Sequence, residues 1–125
     1  MQNLVDSCGW IEYFTDGENA DFFAPVLEDV DSLIVPTVCM LEVAKVVFKK
    51  HGKEAVDTVI SAMSRGTVVD LSVNIALLAA EFGAHHKLPL ADSVIYATAR
   101  FNDATLWTQD NHLEGLHRVE YVKKN

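Results

Sequence analysis

The stretch Leu88-Pro89-Leu90-Ala91-Asp92-Ser93-Val94-Ile95-Tyr96-Ala97-Thr98-Ala99-Arg100 sets one carboxylate, Asp92, at the entrance of an otherwise apolar helix. Pro89 disfavours helix at Leu88, while Val94, Ile95, Ala97 and Ala99 are too apolar for a helix standing wholly in solvent. The helix must pack on something. If that is a sheet, Asp92 lies at the positive helix end beside the strand edge, where an anion or a metal-bound phosphate is also stabilised. Taken alone, Asp92 reads more readily as an N-cap, because Asp is among the preferred capping residues.

Downstream, Asn102-Asp103 makes a turn, and Thr105 to Thr108 reads as a strand that runs into Gln109-Asp110-Asn111-His112. A weak strand around Arg118 to Val122 follows, and Tyr121 to Asn125 reads as a tail. Upstream, Leu4-Val5 is a short strand ending in Asp6-Ser7, after which Cys8 to Phe14 resumes an apolar pattern at helical spacing. Asp16 to Asn19 is a turn cluster, and Ala20 to Val30 is a helix weakened by Pro25. Ser32 to Val35 is a second buried strand. Thr37 then caps a helix that passes through Val38, Leu41, Val43, Val46, Val47 and Phe48 and closes on Lys49-Lys50-His51-Gly52. Lys53 to Ser64 continues as the second arm of a helical hairpin, Thr67 to Leu71 is a third strand, and Ser72 caps a helix from Val73 to about His86. Strands alternate with helices, so the fold class is α/β with a mostly parallel central sheet of four to five strands. No repeat or linker divides the 125 residues, and residues 1–125 read as a single domain.

Half of the residues are apolar, enough for a core without disulfides or structural metals. The net charge of −8 is the opposite of the basic stripe with which a protein grips nucleic acid through phosphates alone. Any nucleic-acid reading needs cations. Cys8 and Cys39 form no C-x-x-C pair and stand in apolar stretches, as buried thiols of a reducing compartment do. The N-terminus carries no basic leader, and no apolar run approaches the roughly 20 residues of a membrane span. The expectation is a cytoplasmic protein with no membrane association.

Ligand sites in open parallel sheets lie outside the carboxyl ends of strands, so acids immediately after strands are candidates for convergence. Asp6 ends the first strand, Asp110 follows the fourth, and Asp92 opens the helix before it. Glu42 stands within a helix between Val38 and Val46 on one face, where a carboxylate is costly unless paired or metal-bound. An ion pair with Lys45 at i+3 is an equally good account of it. Two carboxylates 4 Å apart repel by about 4 kcal/mol at an effective dielectric of 20, so four in one pocket require a compensating positive charge. Oxygen ligands suit hard cations, and no zinc-like Cys/His cluster is evident, which makes Mg²⁺ or Mn²⁺ the natural ion. The paired His85-His86 read as a solvated helix end. Such a site lowers the pKa of bound water, clamps a phosphate and stabilises an in-line displacement, the requirements of metal-dependent phosphodiester hydrolysis.

These residues together resemble a PIN-domain ribonuclease of the small VapC-like type, the toxins of toxin–antitoxin pairs. The resemblance covers essentially the whole length. It is carried by Leu4-Val5-Asp6-Ser7 with Trp10-Ile11, Leu41-Glu42-Val43, Asp92 to Ala99, and Thr108-Gln109-Asp110. It implies a three-layer α/β/α domain in which Asp6, Glu42, Asp92 and Asp110 hold the divalent ions. Ser7 and Thr108 then support the acids or bound water through hydrogen bonds. It also implies an RNA substrate, a homodimer, and inhibition by a cognate antitoxin that inserts a segment into the acidic groove. Two positions depart from the pattern. Cys8 stands where a small polar residue is common, and Asn111-His112-Leu113-Glu114 stand where a further aspartate and an aromatic residue are frequent. Which of Asn111, His112 and Glu114 assists the fourth acid stays open. Arg100, two turns beyond Asp92, is a candidate contact for RNA or antitoxin, or equally a surface arginine at a helix end. The dimer face draws on the apolar residues of the Phe22-Phe23 and Val43-Val47 helices.

Two other readings compete. A receiver-like phosphoacceptor domain has this length and an acidic Mg²⁺ site, but it wants adjacent acids after the first strand, where Asp6 is followed by Ser7. A haloacid-dehalogenase-like phosphatase wants a second aspartate at the position of Cys8. The remaining alternative is a PIN-fold binding module without catalysis.

Overall fold

The computed structural model describes residues 1–125. The first strand β1 (Gln2–Val5) and the strand β4 (Ala104–Thr108) lie side by side, with Val5 opposite Trp107. Between them in sequence come β2 (Leu33–Pro36) and β3 (Thr67–Val69), and β5 (Val119–Tyr121) closes the sheet. Every pairing is parallel, and the order is β3-β2-β1-β4-β5. The chain therefore steps outward from β1 to β3, returns across the sheet to β4 and steps outward again. Parallel crossovers are right-handed, so the reversal puts the returning helices on the face opposite those of the first connections. Both faces are covered, which is why Leu33, Ile34 and Val35 form one unbroken apolar run rather than an alternating one.

Six helices make the outer layers: α1 (Ser7–Phe14), α2 (Ala20–Glu28), α3 (Thr37–His51), α4 (Lys53–Met63), α5 (Val73–His86) and α6 (Leu90–Phe101). Pro25 is accommodated inside α2. Ser72 caps α5 as expected, accepting the Ile75 amide at 3.2 Å. The cap of α3 is Pro36 rather than Thr37, which is the first helical residue. The third strand is shorter than its sequence pattern, because Asp70 and Leu71 face solvent beyond the last ladder contact. Its position at the sheet edge leaves nothing to hold them in extended pairing.

The core draws on both faces. On one, Phe22 of α2 packs on Trp107 at 5.5 Å between ring centroids, and Phe23 is fully buried. Phe23 and Val43 are therefore core, and Phe22 packs against it half-buried. Large exposed apolar side chains stand at Leu41 and Phe48 on α3, the helix that carries Val43, and at Val73, Leu77 and Leu90. On the other face α6 is buried along its length from Asp92 to Ala99. Its polar side chains turn back on the helix, Ser93 Oγ donating to the Leu90 carbonyl at 2.6 Å and Thr98 Oγ1 to the Val94 carbonyl at 2.7 Å. A helix this apolar is stable because α5 lies against it, with Ile75 and Ala79 packed on Val94 and Ala97.

The C-terminal residues are not a loose tail. Lys124 Nζ pairs with the buried Glu12 at 2.7 Å, and the Lys123 carbonyl accepts from Asn19 Nδ2 at 3.2 Å. Burial works against the Glu12 charge, but Lys124 and the Asn19 amide outweigh it and hold the carboxyl below its usual range.

Gly9 marks the closest approach of α1 to the sheet. A Cβ there would lie 2.5 Å from Val5 Cγ1 and 2.7 Å from the Phe23 ring, so both would have to move. Gly9→Ala is expected to destabilise the protein by about 1–3 kcal/mol, read as a lower midpoint in denaturant with the slope unchanged.

Candidate active site

Past the carboxyl edge of the sheet, the chain leaves β1 and β4 at adjacent points, where the order of strands reverses. Asp6 follows β1 directly, is buried, and caps α1 by accepting the Ser7 amide on Oδ1 at 2.7 Å. Its second oxygen, Oδ2, accepts from Thr108 Oγ1 at 2.7 Å. Thr108 is the last residue of β4, and its hydroxyl also accepts the Asp110 amide at 2.9 Å. One side chain thus fixes two acids: its proton goes to Asp6 and its lone pair to the backbone of Asp110. Asp110 in turn caps a one-turn 3-10 helix (Asn111–Leu113), Oδ1 accepting the His112 amide at 2.9 Å.

Asp92 arrives from α6. The helix is capped by Pro89, and Asp92 lies in its first turn without a capping hydrogen bond, so the N-cap account fails. Its carboxylate faces Asp110 and Asp6 instead. Burial, and next the charges of Asp110 and Asp6, push its pKa up to about 7. Asp6 is also raised, chiefly by burial, against the hydrogen bond from Thr108. Glu42 stands on α3, one side chain further out. No ion pair with Lys45 forms; Glu42 Oε1 accepts instead from Ser7 Oγ at 2.7 Å, and Ser7 Oγ is also 3.3 Å from Asp6 Oδ1. Ser7 joins the fourth acid to the other three.

His112, one of three residues left open by the sequence, is the one that reaches this cluster. Its Nδ1 is 2.9 Å from Asp110 Oδ1 and 3.5 Å from Asp92 Oδ2. One oxygen from Asp92, one from Asp110 and a His112 ring nitrogen all lie within 4.8 Å of one another. Asn111 and Glu114 are exposed and enter no such grouping. The sequence signal for His112 is its position two residues after Asp110, inside the single turn that Asp110 caps. Cys8 Sγ is 3.5 Å from Asp6 Oδ2, and burial followed by the Asp6 charge pushes its thiol well up, so it stays neutral beside the acids. Cys39 is fully buried.

Arg100 is not brought to the carboxylates. It occupies the opposite end of α6, beside the start of β4, where its guanidinium donates to the Ala104 carbonyl and lies 5.8 Å from the Tyr96 ring centre. Two turns of helix separate it from Asp92, and the site opens at the other edge of the sheet.

No lysine or arginine lies within 4 Å of Asp6, Glu42, Asp92 or Asp110. Like charges with no lysine or arginine between them fit a divalent cation, and the carboxylate oxygens suit Mg²⁺ or Mn²⁺. Beside the cluster runs a groove of about 870 Å³ that shares Ser7, Cys8 and Glu42 with it. Val38, Leu41, Val94 and Leu90 make most of the remaining lining apolar, and Lys45 and Lys49 add positive charge.

Acids gathered at the strand-order switch of an all-parallel sheet define an α/β protein with a polar ligand site in the crevice there. The order also differs from the 2-1-3-4-5 arrangement of receiver domains. The sequence matches the PIN domain family over residues 4–119, and the chain belongs to that family. No curated protein matches it significantly in sequence. Among solved structures, it is similar to a toxin–antitoxin complex from Klebsiella pneumoniae, at TM-score 0.81 and 22% identity over 95% of this chain and 96% of that one. It is also similar to VapBC2 from Rickettsia felis, solved bound to a promoter DNA fragment (TM-score 0.76, 14% identity, 97% and 98% covered). A third is VapC20 of Mycobacterium tuberculosis, a sarcin–ricin loop cleaving toxin (TM-score 0.76, 12% identity, 94% and 98% covered). At these identities the likeness establishes the fold.

The raised pKa of Asp92 has a sign that can be measured. The folded protein holds this proton more tightly than the unfolded chain, so the contribution favours folding below the ordinary value of 3.8 and is lost as pH rises towards about 7. In metal-free protein, Asp92→Asn is expected to raise Tm at about pH 8 and to leave it nearly unchanged at about pH 4. Each kcal/mol regained corresponds to roughly 4 °C at this size.

Proposed function

We propose that this chain is a metal-dependent endoribonuclease, the toxin of a toxin–antitoxin pair, acting in the cytoplasm as one PIN domain spanning residues 1–125. The observation that carries the reading is the convergence of Asp6, Asp92 and Asp110, with Glu42 joined through Ser7, where no lysine or arginine is in reach. Asp6, Glu42, Asp92 and Asp110 hold Mg²⁺ or Mn²⁺ in this reading. Bound there, such an ion lowers the pKa of a water, neutralises the phosphate and stabilises the in-line displacement. Thr108 keeps Asp6 and Asp110 in fixed relation, and Ser7 does the same for Asp6 and Glu42, so the acids need not reorganise when substrate arrives. Burial of Asp6 and the apolar length of α6 keep the site at low dielectric, where charge stabilisation is strongest.

Loaded with divalent ions, the pocket attracts a phosphate backbone although the whole chain carries −8. RNA is the favoured substrate because the M. tuberculosis relative cleaves the sarcin–ricin loop. An antitoxin partner is supported by the Klebsiella and Rickettsia relatives, both described with their partners, and by the apolar groove that adjoins the acids. A homodimer is supported by Val73 and Leu77, one turn apart on α5 and 76% and 67% exposed. No helix is long and apolar enough to cross a membrane. Arg100, at the end of α6 away from the acids, is in this reading a contact for RNA or antitoxin outside the acidic cluster.

Asp6→Asn and Asp92→Asn are each expected to keep the far-ultraviolet circular dichroism of the parent and to abolish Mn²⁺-dependent cleavage of a panel of structured RNAs. Parent-level cleavage by both variants overturns the reading. Mn²⁺ at about 100 times its Kd is expected to stabilise the parent by about 2.7 kcal/mol in thermal unfolding, and the absence of any shift at millimolar Mg²⁺ or Mn²⁺ also overturns it.

A further inference from the structure

We propose that His112 is a direct nitrogen ligand of this site and that it makes the site select Mn²⁺ over Mg²⁺; the inference rests on the metal-site reading above. Three observations lead to it. The ring nitrogen Nδ1 points at two of the carboxylates, 2.9 Å from Asp110 and 3.5 Å from Asp92, while the side chain is 58% exposed overall. The ring is therefore aimed at the acids and not packed in the core. Its backbone is pinned as well: the His112 amide donates to Asp110 Oδ1, so the residue that offers the carboxylate also holds the imidazole in register. Lastly, His112, Asp92 and Asp110 are the one grouping in the protein whose donor atoms lie mutually within 4.8 Å.

An imidazole in this position has two tautomers with different uses. With the proton on Nδ1 it donates to Asp110 Oδ1. With the proton on Nε2, Nδ1 presents a lone pair to the same point between Asp92 and Asp110. Oxygen-only sites suit Mg²⁺, which binds nitrogen poorly, while an imidazole favours Mn²⁺ and the later first-row ions. Replacing one oxygen donor by nitrogen therefore shifts preference in a stated direction without altering the rest of the cluster. Asp6 and Glu42, whose oxygens are engaged by Thr108 and Ser7, complete the site from the other side.

The test uses the full chain, with Mn²⁺ alone and Mg²⁺ alone as probes. Electron spin-echo modulation of the Mn²⁺-loaded protein is expected to show a nitrogen coupling that His112→Ala removes. By calorimetry, His112→Ala is expected to weaken Mn²⁺ by about tenfold or more, the scale on which metal sites respond even to loss of an outer partner, with Mg²⁺ changed far less. His112→Asp restores an oxygen donor and is expected to lower the ratio of Mn²⁺ to Mg²⁺ affinity below that of the parent. Absence of the nitrogen coupling in the parent, or equal weakening of both ions in His112→Ala, overturns the proposal and leaves His112 as a support of Asp110 only. Failure of the parent to bind either ion overturns the metal-site reading as well, so the two failures are distinct.

Discussion

The structure depends on a repulsion. Asp6, Asp92 and Asp110 meet in a half-buried crevice, and burial together with their mutual charge lifts the pKa of Asp92 to about 7 and raises that of Asp6. At an effective dielectric of 20, each pair of full charges 4 Å apart costs about 4 kcal/mol, a large share of the stability of a domain this size. No lysine or arginine relieves it. The rest of the fold has to hold the acids in place against this force, and several of its features are explained by that need.

Rigidity at the site comes from backbone placement more than from side-chain pairing. Asp6 is fixed because β1 is an interior strand whose last residue pairs with Trp107, and Asp110 is fixed because its own amide is held by Thr108 at the end of the neighbouring strand. Asp92 is held by the buried run behind it, from Ser93 to Ala99, on which α5 closes through small residues such as Gly83, whose Cβ position would lie 3.3 Å from Ser93 Cβ. An apolar helix with one acid in its first turn thus transmits core packing directly to the site. The helix N-terminus adds a modest favourable field, of the order of 0.3–1 kcal/mol, which is too small to offset the repulsion but has the right sign.

The molecule separates its two chemistries in space. The carboxyl edge of the sheet carries the acids, His112 and the apolar groove with Lys45 and Lys49, while the opposite edge carries Arg100 and Arg118, turned onto the Ala104 carbonyl, Asp103 and Thr105. A further ion pair, Lys124 with Glu12, ties the C-terminal residues to α1. The cations near β4 and at the C-terminus are thus occupied structurally, which keeps them from neutralising the acids. Positive charge for those acids is left to whatever the site binds.

Much of this was legible in the residues themselves. Alternation of apolar runs with helical patterns pointed to four to five strands in a mostly parallel sheet, because period and turn residues are local properties. The position of Asp6 and Asp110 after strands, and of Asp92 at a helix start, was likewise readable, since it follows from the order of residues alone. What only the tertiary structure decided is which alternatives each acid takes. Glu42 could as well have paired with Lys45 one turn away, and a proline in place of an acid could cap α6; neither is settled by spacing, because each depends on what packs opposite. Seven residues apart from Glu12, Asn19 becomes its partner, and Lys124 joins it from 112 positions away, which turns an apparent tail into one half of an ion pair with a buried acid. His112 is the clearest case. Its place in the chain marks it only as a neighbour of Asp110, and the direction of its ring towards Asp92 exists only once α6 and β4 are packed together.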